Sequence, residues 1–519
     1  MTDDNGTFQS SPLDALKRYV PLAVWAIVLL VILAIPLKII SYGYLPGDDA
    51  LRHAAKAVSG KSWSQILVLN PVYKIDHEFG WNLFLEKIHR GTNWNAEALV
   101  IFSVVTLFVL VGWSVLPWLK WPEAWLITLL AASLTSDLCG RFTLGRPYLV
   151  TLAGLLTILF LWQRHGSSAP KWWMLWLTTV IFALCTFVHG AWYLWILLLG
   201  ALLFAGEFRW AISLGFSWVI GVIIGSALTG HPFEYPVQAL KLALLAVGMH
   251  DTIRTMASEL QPSNGDIFAL GILGGLIILR QLAKLDVRPL SKNPAFWLAF
   301  FGWVLGFKVG RFWADWGWPA LMVLITCDLQ FFLQTRFAVD SFKRLGLVFG
   351  VAIATFLAVT NDSGSRWTYN LTEQYLTENN PDLKGWMPDK GGIFYSADMT
   401  LFYQTFFKNP QGDWRYMLGF EPTWMPQEDF EVYHKVLWNF GDSKAYAGWV
   451  KKMRPQDRLV IRDGRGSPPS IPQLEWNYGV SGIWIGRLPR KNAPPPAPTV
   501  PATATLESLT NSVPETSVE

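Results

Sequence analysis

The stretch Tyr19–Ala57, "YVPLAVWAIVLLVILAIPLKIISYGYLPGDDALRHAAKA", decides how the rest of the chain is read. Its first part, Tyr19 to Ile40, is an apolar run long enough to cross a hydrocarbon core, which takes about 20 residues. The run is too long for a signal-peptide core, and no small-residue cleavage site follows it, so a retained membrane anchor is expected. Pro46 and Gly47 then break the run, and two carboxylates, Asp48 and Asp49, stand side by side. Asp48 is placed to cap a new helix that starts near Asp49. In that helix Asp49, Arg52, His53 and Lys56 share one face, and Ala50, Leu51, Ala54 and Ala57 share the other. An amphipathic helix lying in the outer membrane interface is expected, with its charged face turned to water or to a cavity.

The composition agrees with the anchor. Of 519 residues, 52% are hydrophobic and only 15% are charged, where a soluble domain carries about 25%. The net charge of +4 is small and the basic residues are scattered, so no nucleic-acid partner is indicated. Cys139, Cys185 and Cys327 are far apart, which indicates neither a metal site nor a disulfide framework. The 29 tryptophans suit a membrane interface and also suit sugar or lipid sites.

Membrane spans are expected near 19–41, 96–118, 122–137, 147–163, 172–188, 190–206, 210–229, 266–281, 295–310, 317–335 and 345–361, about eleven in all. With the N-terminus (1–18) in the cytoplasm, every inner segment carries a basic residue: Lys17 and Arg18, Lys120, Arg164 and Lys171, Arg209, the group from Arg280 to Lys292, and Arg336 with Lys343 and Arg344. The fold class is therefore an α-helical polytopic membrane protein whose membrane domain covers 19–361. Long outer loops are expected at 42–95 and 230–265. The C-terminus lies outside, with an α/β or α+β domain over 362–490. The Pro-, Ala-, Thr- and Ser-rich end, 491–519, cannot bury a core and should be disordered.

Ionisable residues recur in the outer loops. "YKIDHEFGWNLF" offers Asp76, His77, Glu78 and Trp81; "TSDLCGRFTLGRPYL" offers Asp137, Arg141 and Arg146; His189 lies in the next tight turn. "TGHPFEYPVQALKLALLAVGMHDTIR" offers His231, Glu234, Lys241, His250, Asp251 and Arg254, and "KVGRFWADWGWP" offers Lys308, Arg311 and Asp315 among tryptophans. Acids of this kind could activate a hydroxyl or hold a metal, and bases could hold a phosphate. Each also has a plain reading: Asp48 as a helix cap, Asp49 as the partner of Arg52 or His53, Arg311 as a snorkelling anchor.

The layout resembles the polytopic membrane glycosyltransferases of the GT-C fold, among them protein O-mannosyltransferases and the aminoarabinose transferase of lipid A. The resemblance rests on "GDDALRHAAKA" after the first span, on Asp137 in "TSDLCGR" as the acid of the next outer loop, and on a soluble domain after the last span. It implies an inverting enzyme of the bacterial inner membrane. Such an enzyme moves a sugar from a polyprenyl-phosphate-linked donor to the hydroxyl of a glycan, lipid or protein acceptor on the extracytoplasmic face. Asp48 or Asp49 would be the general base. Arg146, His231, Arg311, Lys241 and Arg254 would hold the donor phosphate, and Asp76, His77, Glu78, Trp81 and His189 would bind sugar or acceptor. Asp137 would be the ligand for a divalent metal such as Mg or Mn. The chain departs from the pattern in having a single Asp in that second loop, and it has no "WWDYG"-type signature. The competing readings are a transporter or flippase of lipid-linked sugars and a non-enzymatic polysaccharide assembly protein. A whole-glycan ligase working through the loop 230–265 is a related option.

Overall fold

The computed structural model describes residues 16–72, 75–134, 140–248, 261–262, 267–284, 288–439, 441–464 and 466–489. Helices dominate: α1 Val20–Ser41, α2 Asp49–Ser59, α3 Phe79–Thr92, α4 Ala96–Ser114, α5 Glu123–Ser133, α6 Tyr148–His165, α7 Trp172–His189, α8 Ile196–Phe204, α9 Phe208–Leu228, α10 Glu234–Gly248, α11 Ile267–Leu282, α12 Pro294–Gly306, α13 Trp318–Arg336 and α14 Phe342–Thr360. Among the described residues, six helical segments are long and apolar enough to cross a membrane: Val20–Ser41, Ala96–Trp118, Trp172–His189, Phe208–Leu228, Gly310–Arg336 and Phe342–Thr360. Their outward faces are apolar as well, with Leu22, Leu30, Trp172, Trp176, Ile212 and Phe216 exposed. This is a multi-pass membrane protein. Among the described residues, four shorter apolar helices, Glu123–Ser133, Trp192–Phe204, Ile267–Leu282 and Pro294–Gly306, lie between the long ones in sequence, and α6 is buried along most of its length.

Between helices in lipid the drive to associate comes from close packing, which small residues permit. The clearest case is "GVIIG" in α9. A Cβ on Gly221 would sit 2.5 Å from the Phe182 Cβ, and one on Gly225 would sit 2.5 Å from the Ala183 carbonyl oxygen of α7. The Gly225 contact is backbone, so the helices themselves must separate to admit a side chain. Gly225→Val should lower stability by about 1–3 kcal/mol through overpacking. It is read as a lower melting temperature of the detergent-solubilised protein by tryptophan fluorescence, with Gly215→Val as the control, since a Cβ there meets only the Leu199 side chain, at 4.0 Å.

At one end of the helices, arginines are consumed in ion pairs. Arg344 pairs with Glu123, Arg280 with Asp328, and Arg288 with Glu207. Asp328 inside a helix would suit a transporter; both its oxygens are held by Arg280, at 2.6 and 2.9 Å.

Near the C-terminus a small mixed sheet forms from β1 Ile393–Tyr395, β2 Arg415–Tyr416, β3 Arg458–Arg462, β4 Glu475–Tyr478 and β5 Ile483–Arg487, in the order β2-β1-β3-β5-β4. β1 runs parallel to β2 and β3, and β5 runs antiparallel to β3 and β4. Helix α15, Met399–Lys408, packs on α2. The two parts interlock. Leu67 bridges Tyr416, and the amides of Val68 and Asn70 donate to the carbonyls of Tyr416 (2.9 Å) and Trp424 (2.7 Å). One hydrophobic core runs from the α1–α9 bundle through Trp63 and Leu67 into Phe402, Phe406, Phe420 and Trp424.

Candidate functional site

Helix α2 does not lie free in an interface. It packs against α3, α4 and α15, so its apolar face (Ala50, Leu51, Ala54, Ala57) and also Arg52 and His53 are buried. Its N-terminal end faces a cavity of about 490 Å³, within the range of small-molecule sites.

Asp48 stands at the N-cap position but makes no capping hydrogen bond. Its Oδ2 accepts from Arg146 Nη2 at 2.8 Å and from Nε at 3.2 Å. The expected cap is thus replaced by an ion pair, because a guanidinium giving two charge-assisted hydrogen bonds is a stronger partner for a carboxylate than a backbone amide. Gly145 brings Arg146 there: its φ of +63° turns the chain, and a Cβ would meet Val104 and Ala50 at 3.1 and 3.3 Å. Asp49 Oδ1 accepts from Arg52 Nε at 2.7 Å, and its Oδ2 lies 3.5 Å from Arg146 Nε. Arg52 also pairs with Glu78. Burial alone would raise both carboxyls. Arg52 and Arg146 outweigh it at Asp49, and Arg52 and His53 outweigh it at Glu78, so both are held below the ordinary range and stay ionised. Phe420 carries the Arg52 guanidinium on its ring face at 3.8 Å.

The far wall comes from the chain around 311–316. A π-helical turn, Trp313–Gly317, leads into α13 and helps present Asp315 and Trp316 to the cavity. Asp315 pairs with Arg141 and, at 3.2 Å, with Arg311. His189 ends α7, its Nδ1 3.3 Å from the Thr151 hydroxyl. The turn after it needs Gly190, at φ +69°, because a Cβ would sit 2.6 Å from the His77 carbonyl. Leu152, Leu155, Leu194, Ala239, Leu242 and Ala243 make one side of the cavity apolar.

Of the residues given a catalytic or binding role in the sequence, Asp48, Asp49, His77, Glu78, Arg146, His189 and Arg311 line this cavity together. Others do not. Asp76 spends its oxygens on the Glu78 amide (3.0 Å) and the Asn82 amide group (2.6 Å), holding the start of α3. Trp81 is buried against Phe84 in the core, because it falls on the inward face of α3. His231 is exposed and pairs with Glu234 at 3.2 Å. Lys241 is exposed on α10, whose opposite face, with Ala239, Leu242 and Ala243, forms cavity wall. Asp137, His250, Asp251 and Arg254 lie outside the described residues. The metal expectation rested on Asp137; among the described residues no three His, Cys, Asp or Glu side chains converge as metal ligands. Most of the carboxylates on the wall are already held by arginines, a poor donor set for a cation.

The sequence reading missed the wall supplied from beyond residue 361: Met399, Thr400 and Tyr403 of α15, and Phe420, Glu421, Pro422 and Thr423. Burial pushes the Tyr403 phenol well above its usual range, so it stays a neutral hydroxyl beside Asp49, Arg52 and Arg146. The aromatic, Gly- and Pro-flanked run "LGFEPTWMP" was the one available hint. No protein-family model matches this chain, and no curated protein matches it.

Proposed function

We propose that this protein is a membrane glycosyltransferase of the GT-C type. It takes a sugar from a polyprenyl-phosphate donor and transfers it, with inversion, to a hydroxyl of a glycan, lipid or protein acceptor on the extracytoplasmic face of a cell-envelope membrane such as the bacterial inner membrane. The chain crosses the bilayer eleven times, using the shorter apolar helices and α6 as well as the six long ones, with its N-terminus in the cytoplasm. The observation that carries the reading is the cavity itself: Arg52, Arg146 and Arg311 and several carboxyls share about 490 Å³ with an apolar wall. Cations for a phosphate, carboxyls for hydroxyls and a greasy side for an isoprenoid chain are the three features a lipid-linked sugar requires.

In this reading the donor phosphate takes Arg146 as its partner, which releases Asp48. The acceptor oxygen then bonds to the anomeric carbon from the face opposite the phosphate. Its proton goes to the carboxylate of Asp48 or Asp49, and the bonding pair of the C–O bond leaves with the phosphate, where Arg146 and Arg311 meet the growing charge. A transport reading is supported less, since Asp328 inside α13 is closed off by Arg280.

The test is transfer of label from a radiolabelled polyprenyl-phosphate hexose by the protein in nanodiscs. Asp48→Asn/Asp49→Asn should lose roughly 100-fold or more of the wild-type rate, the scale of a lost general base. A folded double variant that transfers at the wild-type rate removes this pair from the chemistry.

A further inference from the structure

Four carboxylates of the cavity wall are committed to arginines: Asp48 to Arg146, Asp49 and Glu78 to Arg52, and Asp315 to Arg141 and Arg311. Glu421 differs. It lines the same cavity, and its carboxyl makes no hydrogen bond or ion pair among the described residues. It is nevertheless held in place. Phe420 beside it supports Arg52, the Trp424 amide donates to the Glu421 carbonyl at 3.0 Å, and Trp424 is tied in turn to Asn70 at 2.7 Å. The ring of His77 packs edge-on against Phe420 and Trp424, with centroids 5.8 and 5.4 Å apart. The titratable and charged groups that face Glu421 come from five other elements: His77 before α3, Arg311 before α13, Asp49 and Arg52 on α2, and the phenols of Tyr193 before α8 and Tyr433 on the helix Gln427–Trp438.

We infer that Glu421 is a ligand-contacting carboxyl, contributed to the membrane-side cavity by the C-terminal part of the chain, and that it takes up a proton when a phosphate-bearing ligand occupies that cavity. An ionised carboxylate and a phosphate enclosed in one cavity repel far more than they would in water. Protonation removes the repulsion and turns Glu421 into a hydrogen-bond donor for a phosphate oxygen. Burial already pushes this carboxyl above its ordinary range, against the opposing pull of His77 and Arg311, so the proton is easily gained. Asp49 and Glu78 cannot serve in this way, because Arg52 holds both below the ordinary carboxyl range, and Asp315 is already spanned by Arg141 and Arg311. The inference rests on the cavity being a phosphate site, and the experiment separates the two claims.

Farnesyl phosphate is titrated into the full-length protein in nanodiscs by calorimetry, in buffers of different ionisation enthalpy, from about pH 5.5 to about pH 7.5. One coupled proton changes affinity up to tenfold per pH unit. Wild type should take up more protons than Glu421→Gln, and its affinity should fall more steeply with pH, by about tenfold over the range. Glu421→Gln, neutral throughout, should bind at least as tightly as wild type at the upper end, and Glu421→Asp should keep the pH dependence. Equal proton uptake and equal slopes in wild type and Glu421→Gln overturn the inference while the phosphate reading stands. Loss of binding by Glu421→Gln at every pH also overturns it. Failure of the wild type to bind farnesyl phosphate overturns the phosphate reading and this inference with it.

Discussion

Arg146→Ala is expected to cut sugar transfer roughly 100- to 1,000-fold, the usual cost of removing one donor aimed at developing charge. Two effects add. In the proposed reaction the leaving phosphate loses a guanidinium, and Asp48 and Asp49 lose the cation that joins them, at 2.8 and 3.5 Å. Arg146 is one of the groups holding the Asp49 carboxyl down. Without it that carboxyl titrates higher, so the acid side of the pH–rate profile should move to higher pH. Arg146→Lys separates charge from geometry. A lysine keeps the charge but loses the planar fork that grips Asp48 through Nε and Nη2. It should therefore restore the pH profile more fully than the rate. An Arg146→Ala protein that is folded and transfers at the wild-type rate would leave the phosphate bound elsewhere, with Arg311 as the remaining cation on the far wall.

The legible parts of this molecule are those written in short-range pattern. Long apolar runs gave the helices, and the Pro46–Gly47 break with the Asp49/Arg52/His53 spacing located α2. Seven of the residues given a catalytic or binding role meet in one cavity because each stands at the end of a helix or in the turn beside it. What the pattern could not show is partnership between distant segments. Asp48 fits the cap rule, yet a residue 98 positions away takes its carboxylate. Trp81 fits a sugar- or acceptor-binding aromatic, yet helix phase turns it inward. Glu421 sits in a loop with no periodic signal and reaches the cavity because Leu67 and Asn70 pair with the strand and turn that carry it. Such long-range pairing leaves no local trace in a single sequence.

Charge counting illustrates the same limit and leads to the second large effect. Arg344 counts as a basic residue of an inner loop, but it is only 2% exposed and serves inside the protein. Its Nε and Nη2 donate to Glu123 at 2.6 and 2.9 Å, its Nη1 donates to the Val339 carbonyl at 2.9 Å, and its guanidinium lies 3.9 Å over the Trp121 ring. The pair joins the start of α14 to the start of α5. A buried ion pair of this kind adds little beyond an apolar pair of equal volume, but breaking it strands a charge. Glu123→Ala should therefore destabilise the folded protein by about 3–5 kcal/mol, seen as a large fall in melting temperature in detergent. The double change Glu123→Leu/Arg344→Met should recover most of that loss, since no charge is left unpaired. If the single and double variants fall equally, the pair's packing rather than its charge holds α5 to α14. If transfer also survives in the double variant, this end of the bundle is scaffold, and the chemistry belongs to the cavity at the other end.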